Sequence, residues 1–169
     1  MVFVGYNPGL TSGRIGHYYA HPSNRFWQLL ADAKLTERRY RPEEDGLLLG
    51  LGYGFTDLVR RMSRSSQDLH ADELKEGGEE VRRQLREVRP RIAAFTGKGV
   101  AAAVIGQRAA HGWLRDEVVP GVRGMVLCSP SGLAGQSYHA RLAPYRELGQ
   151  AVSALRTAEQ TASQGWPAR

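Results

Sequence analysis

The sequence predicts an α/β protein: three α/β/α layers around a central, mainly parallel four-stranded sheet. Short apolar runs of strand length alternate with longer amphipathic stretches along the chain, the pattern of βα units. Two loops rich in glycine, proline and polar residues, Tyr6 to Pro22 and Ser129 to Ser137, each follow a strand-like run. Ligands of such sheets bind at the carboxyl ends of strands, where loops diverge.

The elements follow in order. Val2-Phe3-Val4-Gly5 reads as a buried strand stopped by glycine. Ser23 is placed to cap a helix from Asn24 to about Ala33, with Phe26, Leu29 and Leu30 on its apolar side. Glu43 to Leu51 predicts a short helix, and Tyr53 to Val59 a second strand or extended segment. Arg60 to Gln67 is basic, serine-rich and expected to be an exposed loop. A charged amphipathic helix is predicted from Leu69 to Val88, weakened by Gly77-Gly78 and ended by Pro90. Arg91 to Thr96 predicts a third strand, Lys98 to Ile105 a helix, Met125 to Cys128 a fourth strand, and Ala140 to Leu155 a last helix. Residues 1–156 are read as one domain and 157–169 as a flexible tail. The first strand begins at residue 1, which implies either a preceding segment or a short strand.

At 169 residues, 41 % of them hydrophobic, the chain suits one domain with a real core. No run approaches the ~18 consecutive apolar residues of a membrane span, and Met1 leads straight into the first strand with none of the marks of a signal peptide. The single cysteine, Cys128, excludes an internal disulfide and a cysteine-ligated iron–sulfur cluster or zinc knuckle. A reducing, cytoplasmic location and no cofactor are the expectations. The net charge of +6 favours a polyanionic partner, with Arg60, Arg61 and Arg64 as its first contacts.

Gly5-Tyr6-Asn7-Pro8-Gly9-Leu10 brings backbone close to a ligand at its glycines, and Asn7 supplies both a donor and an acceptor. Its spacing is not that of a dinucleotide fingerprint. From these residues alone a plain strand-to-loop turn remains open. In Tyr18-Tyr19-Ala20-His21-Pro22-Ser23-Asn24-Arg25-Phe26-Trp27, the last two aromatics read as helix core, while Tyr19 lies in the loop and is free to stack on a base.

Taken together with Ser129-Pro130-Ser131-Gly132-Leu133, Phe55-Thr56-Asp57-Leu58-Val59 and Phe95-Thr96-Gly97-Lys98, these motifs resemble the mismatch-specific uracil/thymine DNA glycosylase family of the uracil-DNA glycosylase superfamily. The resemblance spans about residues 2 to 150, in order and spacing. It implies excision of uracil, and also thymine, mispaired with guanine in double-stranded DNA by a monomeric enzyme. Asn7 matches the residue that orients the attacking water, and Tyr19 an aromatic that stacks on the flipped base. Backbone amides of the first loop, at Gly5 and Tyr6, would read the base edge, with Ser129 facing it. Leu133 matches a wedge that fills the hole left in the duplex, beside Ser131, Gly132 and Ala134. Ser129 stands where bacterial relatives often carry asparagine, and Ala134-Gly135-Gln136 lacks an arginine sometimes found there.

The chemistry asks for little else. Extruding a base costs a few kcal/mol, and each base stacked on an aromatic returns ~1–3 kcal/mol. Backbone donors stabilise the departing pyrimidine anion. Lys98, opening a helix, reads as a phosphate contact. Asn7 takes no proton at neutral pH, so a carboxylate is sought. Elimination favours Asp68, beside the basic loop, over Asp32, Asp45 and Asp116, with Asp57 as competitor and helix capping as the alternative for Asp68. Two other readings are a serine hydrolase built on Ser129, Ser131 and His139, which lacks the G-x-S-x-G elbow, and a non-catalytic DNA-damage binder of the same fold.

Overall fold

The computed structural model describes residues 1–164. Its sheet is built from β1 (Val2–Gly5), β2 (Gly54–Asp57), β3 (Ile92–Phe95), β4 (Gly112–Trp113) and β5 (Arg123–Val126), in the order β2-β1-β3-β5-β4. The pairings of β1 with β2 and β3, and of β3 with β5, are parallel, as the alternation of elements predicts. The sheet has five strands where four were expected. The extra one, β4, runs antiparallel to β5 at the edge. Two residues are too short a run to leave a period-two pattern. Its Trp113 ring lies under the Arg123 guanidinium, 4.2 Å from the centroid.

Successive strand residues point to opposite faces, and each face has its own core. Phe3, Ile92, Ala94 and Met125 pack with residues of α2 (Phe26–Asp32) and α5 (Tyr138–Gln164), including Phe26, Leu30, Tyr145 and Leu148. Val4, Ala93, Phe95 and Val126 pack with Val81 and Leu85 of α3 (Ala71–Val88) and with Val100 and Val104 of α4 (Lys98–Ile105). Helices on both faces make the three layers. Each fully buried large side chain adds ~1.5–3 kcal/mol. Phe3 and Phe26 also meet edge to face at 5.1 Å, a geometry that favours aromatic pairs.

Several boundaries differ from the sequence reading. The first loop contains a helix of its own, α1 (Leu10–Ile15), entered at Gly9 and left through Gly16 with φ +77°. Ser23 does not cap α2. The helix starts two residues later than predicted, with Arg25 as N-cap, and the Asn24 side chain accepts a hydrogen bond from the Phe26 amide at 2.9 Å. The segment Pro42–Leu51 is a 3₁₀ helix, and α5 continues to Gln164. Within α5, Pro144 offers no amide to the Ala140 carbonyl, which instead lies 3.7 Å from the Cys128 thiol.

Gly77 and Gly78, read as a weakness of the third helix, are its packing surface. A Cβ on Gly77 would lie 2.1 Å from the Leu58 carbonyl oxygen, and one on Gly78 2.1 Å from that of Ala103. The helical cost of glycine, ~0.5–1 kcal/mol each, is offset by close approach of α3 to the end of β2 and to α4.

Candidate functional site

Parallel strands end on one side of the sheet, and there the loops after β1, β2, β3 and β5 enclose a cleft of about 1210 Å³. That exceeds the ~300–1,000 Å³ of a small-molecule pocket and has room for a nucleotide with neighbouring backbone. Gly5, Tyr6, Asn7, Tyr19, Lys98, Ser129 and the turn from Ser131 to Ala134 all line it. Asp68 does not.

Asn7 is held by the chain leaving β2. That segment continues the ladder beyond the sheet: Leu58 N donates to Gly5 O, Val59 N to Tyr6 O and Ser63 N to Pro8 O. The Asn7 amide nitrogen then donates to the Arg61 carbonyl at 3.0 Å and the Ser63 hydroxyl at 2.8 Å, with a longer contact to Pro8 O. Ser63 is buried and passes its own proton to the Ser65 carbonyl at 2.6 Å. With the nitrogen so engaged, the Asn7 side-chain oxygen accepts no hydrogen bond from the described residues. It suits holding a water by one of its protons.

Asp57 closes β2 opposite Gly5 of β1 and lines the same cleft. Burial pushes its carboxyl up to about 7, so it changes charge near neutral pH. Asp68 sits differently. It is exposed, and its carboxylate accepts the Ser65 amide at 3.0 Å, closing the 3₁₀ turn Ser66–Asp68. The N-cap of α3 is His70. Asp68 is therefore the capping-box partner of Ser65, which caps this short turn, and not the cap of the following helix.

Tyr19 adopts φ +52°, costly for a residue with a side chain. Its ring stacks on Phe26 at 3.9 Å. Thr96 donates its hydroxyl proton to Val4 O at 3.1 Å, so the Tyr19 hydroxyl is the donor in the 3.4 Å contact with Thr96 Oγ1. Burial holds the phenol well above its ordinary pKa, so it stays a donor. Tyr18 stacks on Phe55 at 4.9 Å beside it. These contacts fix both rings at the cleft wall.

Lys98 is exposed at the start of α4, after Gly97 with φ +152°. A Cβ on Gly99 would overlap the Tyr6 hydroxyl, so Tyr6 lies directly over the first turn of this helix. Arg14, Arg60 and Arg64 also line the cleft and are exposed. Arg61, expected with them, is turned away: it pairs with Glu73 at 2.6 Å and donates to Asp68 O.

The turn after β5 bends through two serine motifs. Ser129 Oγ accepts from the Ser131 amide, and Ser131 Oγ from the Leu133 amide, each at 3.3 Å. Pro130 O accepts from Arg25 N at 2.9 Å. Gly132 passes so close to Ser23 that a Cβ would lie 2.3 Å from its hydroxyl. At the tip Leu133 is 84 % exposed. His139 is exposed, lies outside the cleft lining, and has no hydrogen bond to Ser129 or Ser131 among the described residues.

Two residues of this architecture escaped the sequence reading. Ser63 left no signal beyond a serine-rich loop. Arg141 did leave one: it falls on the stripe shared by Leu142, Tyr145, Leu148 and Val152, the buried face of α5.

A mostly parallel α/β/α sheet with an arginine-rimmed cleft at its strand ends defines a nucleotide-sized site open to a polyanion. Over residues 1–153 the sequence matches the model of the uracil DNA glycosylase superfamily, and the chain belongs to that superfamily. Its class of activity is accordingly that of a DNA glycosylase acting on uracil, a hydrolase of DNA repair, with DNA as partner.

Proposed function

We propose that this protein is a monofunctional glycosylase that removes uracil, and also thymine, opposite guanine in duplex DNA and leaves an abasic site. The observation that carries the duplex reading is Leu133, an 84 % exposed leucine on a turn anchored beside the cleft. Solvent is a poor environment for such a side chain, whereas a base stack opened by extrusion receives it. Tyr19 offers a stacking wall for the everted base. Gly5, Tyr6 and Ser129 face its edge. Lys98, Ser131, Gly132 and Ala134, with Arg14, Arg60 and Arg64, meet the backbone.

In this reading the bond from sugar C1′ to the base nitrogen breaks and its electron pair leaves with the pyrimidine, stabilised by backbone donors at the glycine-rich loop. The sugar is left cationic. Asn7 presents a water through its free oxygen, and the water's oxygen bonds to C1′. The carboxylate is Asp57 in place of Asp68, because Asp57 lines the cleft and Asp68 is engaged in its own turn. Ionised Asp57 opposes the positive sugar and receives the proton the water loses. No lysine adduct is required, so the strand stays intact. The protein acts as a monomer inside the cell.

A single-turnover panel of U·G, U·A, T·G and single-stranded uracil substrates tests the proposal. Faster release from U·G than from U·A supports it; equal rates on the two duplexes would refute mismatch selection.

A further inference from the structure

The turn that carries Leu133 is held from beneath by one buried cation. Arg141, in the first turns of α5, is 8 % exposed. Its guanidinium donates to the Gln136 carbonyl at 3.0 Å, the Ser131 carbonyl at 2.9 Å and the Ala134 carbonyl. These three acceptors lie on both sides of Leu133. The planar fork of arginine is the side chain that reaches three carbonyls from one point. Pro130 at the start of the turn is tied to the Arg25 amide; from Ser131 to Gln136 the remaining bonds are short-range, the Leu133 amide to Ser131 Oγ and the Ala134 amide to Ser131 O at 3.1 Å. The charge and the carbonyls satisfy one another, since a buried cation or a buried carbonyl left alone is costly.

We propose that Arg141 is a positioning residue for duplex opening: it locks the Ser131–Gln136 turn so that Leu133 is presented ready-ordered to the base stack. A preordered wedge avoids the entropy of ordering the turn on DNA. The cleft floor, at the ends of β1 and β2, makes no use of this contact. The inference rests on the wedge reading of Leu133, and its effect falls on substrates that must be opened.

Arg141→Lys keeps the charge and loses the fork; Arg141→Gln, measured beside it, keeps two donors and loses the charge. Single-turnover excision from a U·G duplex is expected to fall about tenfold, the scale of one lost hydrogen bond to a charged group, with single-stranded uracil unchanged within about twofold. The pair Leu133→Ala with Arg141→Lys is expected to be no slower than Leu133→Ala alone, because both act through one side chain. Without DNA, the Leu133 and Ala134 amides should exchange hydrogen about tenfold faster in Arg141→Lys while sheet amides are unchanged. Equal losses on both substrates, an additive double variant, or unchanged exchange in the turn would each overturn the proposal. A parent protein that excises nothing would refute the proposed function and leave the exchange result to decide the role of Arg141.

Discussion

The Asp57 carboxyl occupies the space that a side chain on Gly5 would need: a Cβ there would lie 2.3 Å from Asp57 Oδ1. The two residues face each other across the β1–β2 ladder at the floor of the cleft. The glycine that ends the first strand thus admits a carboxyl beside the loop that carries Asn7. Gly5→Ala is expected to displace that carboxyl. Overpacking of this kind costs ~1–3 kcal/mol, visible as a lower melting temperature, and excision should fall with it. Parental rate at parental stability would show that Asp57 has room to spare.

Asp57 also sets a pH dependence. Burial raises its carboxyl from 3.8 in the unfolded reference to about 7. Between these values the native state holds a proton that the unfolded chain has released, so stability falls as pH rises through this window and the penalty is complete above it. Asp57→Asn removes the penalty: its melting temperature relative to the parent should be higher near pH 8 than near pH 4. The parent's single-turnover rate should rise with a midpoint of about 7 as the carboxylate forms, and the asparagine variant should be flat and slower by ~100-fold, the scale of acid–base assistance. Asp68→Asn should keep full activity, since an asparagine oxygen can accept the Ser65 amide as well. Inactivity of Asp68→Asn at unchanged stability would return the catalytic carboxylate to Asp68.

The choice between these two aspartates marks the limit of what the sequence discloses. Alternating strand and helix patterns placed β1, β2, β3 and β5, and the glycine-rich loops at their ends gave the cleft. Strand β4 is two residues long, and α1 lies in a segment whose glycines and proline read as loop. Asp57 was legible as the competing carboxylate at a strand end; that its carboxyl fills the place of a missing Cβ on a neighbouring strand depends on register, which sequence pattern does not specify to one residue. Asp68 drew attention through adjacent arginines, and Arg61 then proved to be occupied by Glu73.

Asn7 and Ser63 form a unit. Asn7→Ala should abolish most excision, and it also removes the bonds that join the first loop to the chain after β2. The observed bonds predict a modest fall in melting temperature as well. Ser63→Ala should cost ~1–3 kcal/mol for unsatisfied buried groups and slow excision by leaving Asn7 unfixed. A Ser63→Ala protein with normal rate would separate the hydroxyl from the function of Asn7.

Leu133→Ala should lose most activity on well-paired duplex and least on single-stranded uracil, where no hole needs filling. Its stability should be unaffected, since an exposed side chain contributes little to folding. Equal losses on the two substrates would assign Leu133 a role other than that of a wedge.

The most direct measurement of the account is product analysis of the parent and Asn7→Ala proteins on a labelled U·G duplex under single-turnover conditions. The account predicts free uracil and an alkali-labile abasic site in an otherwise intact strand with the parent, and little release with Asn7→Ala. Binding of the duplex without base release by the parent, or equal release by both proteins, would contradict it.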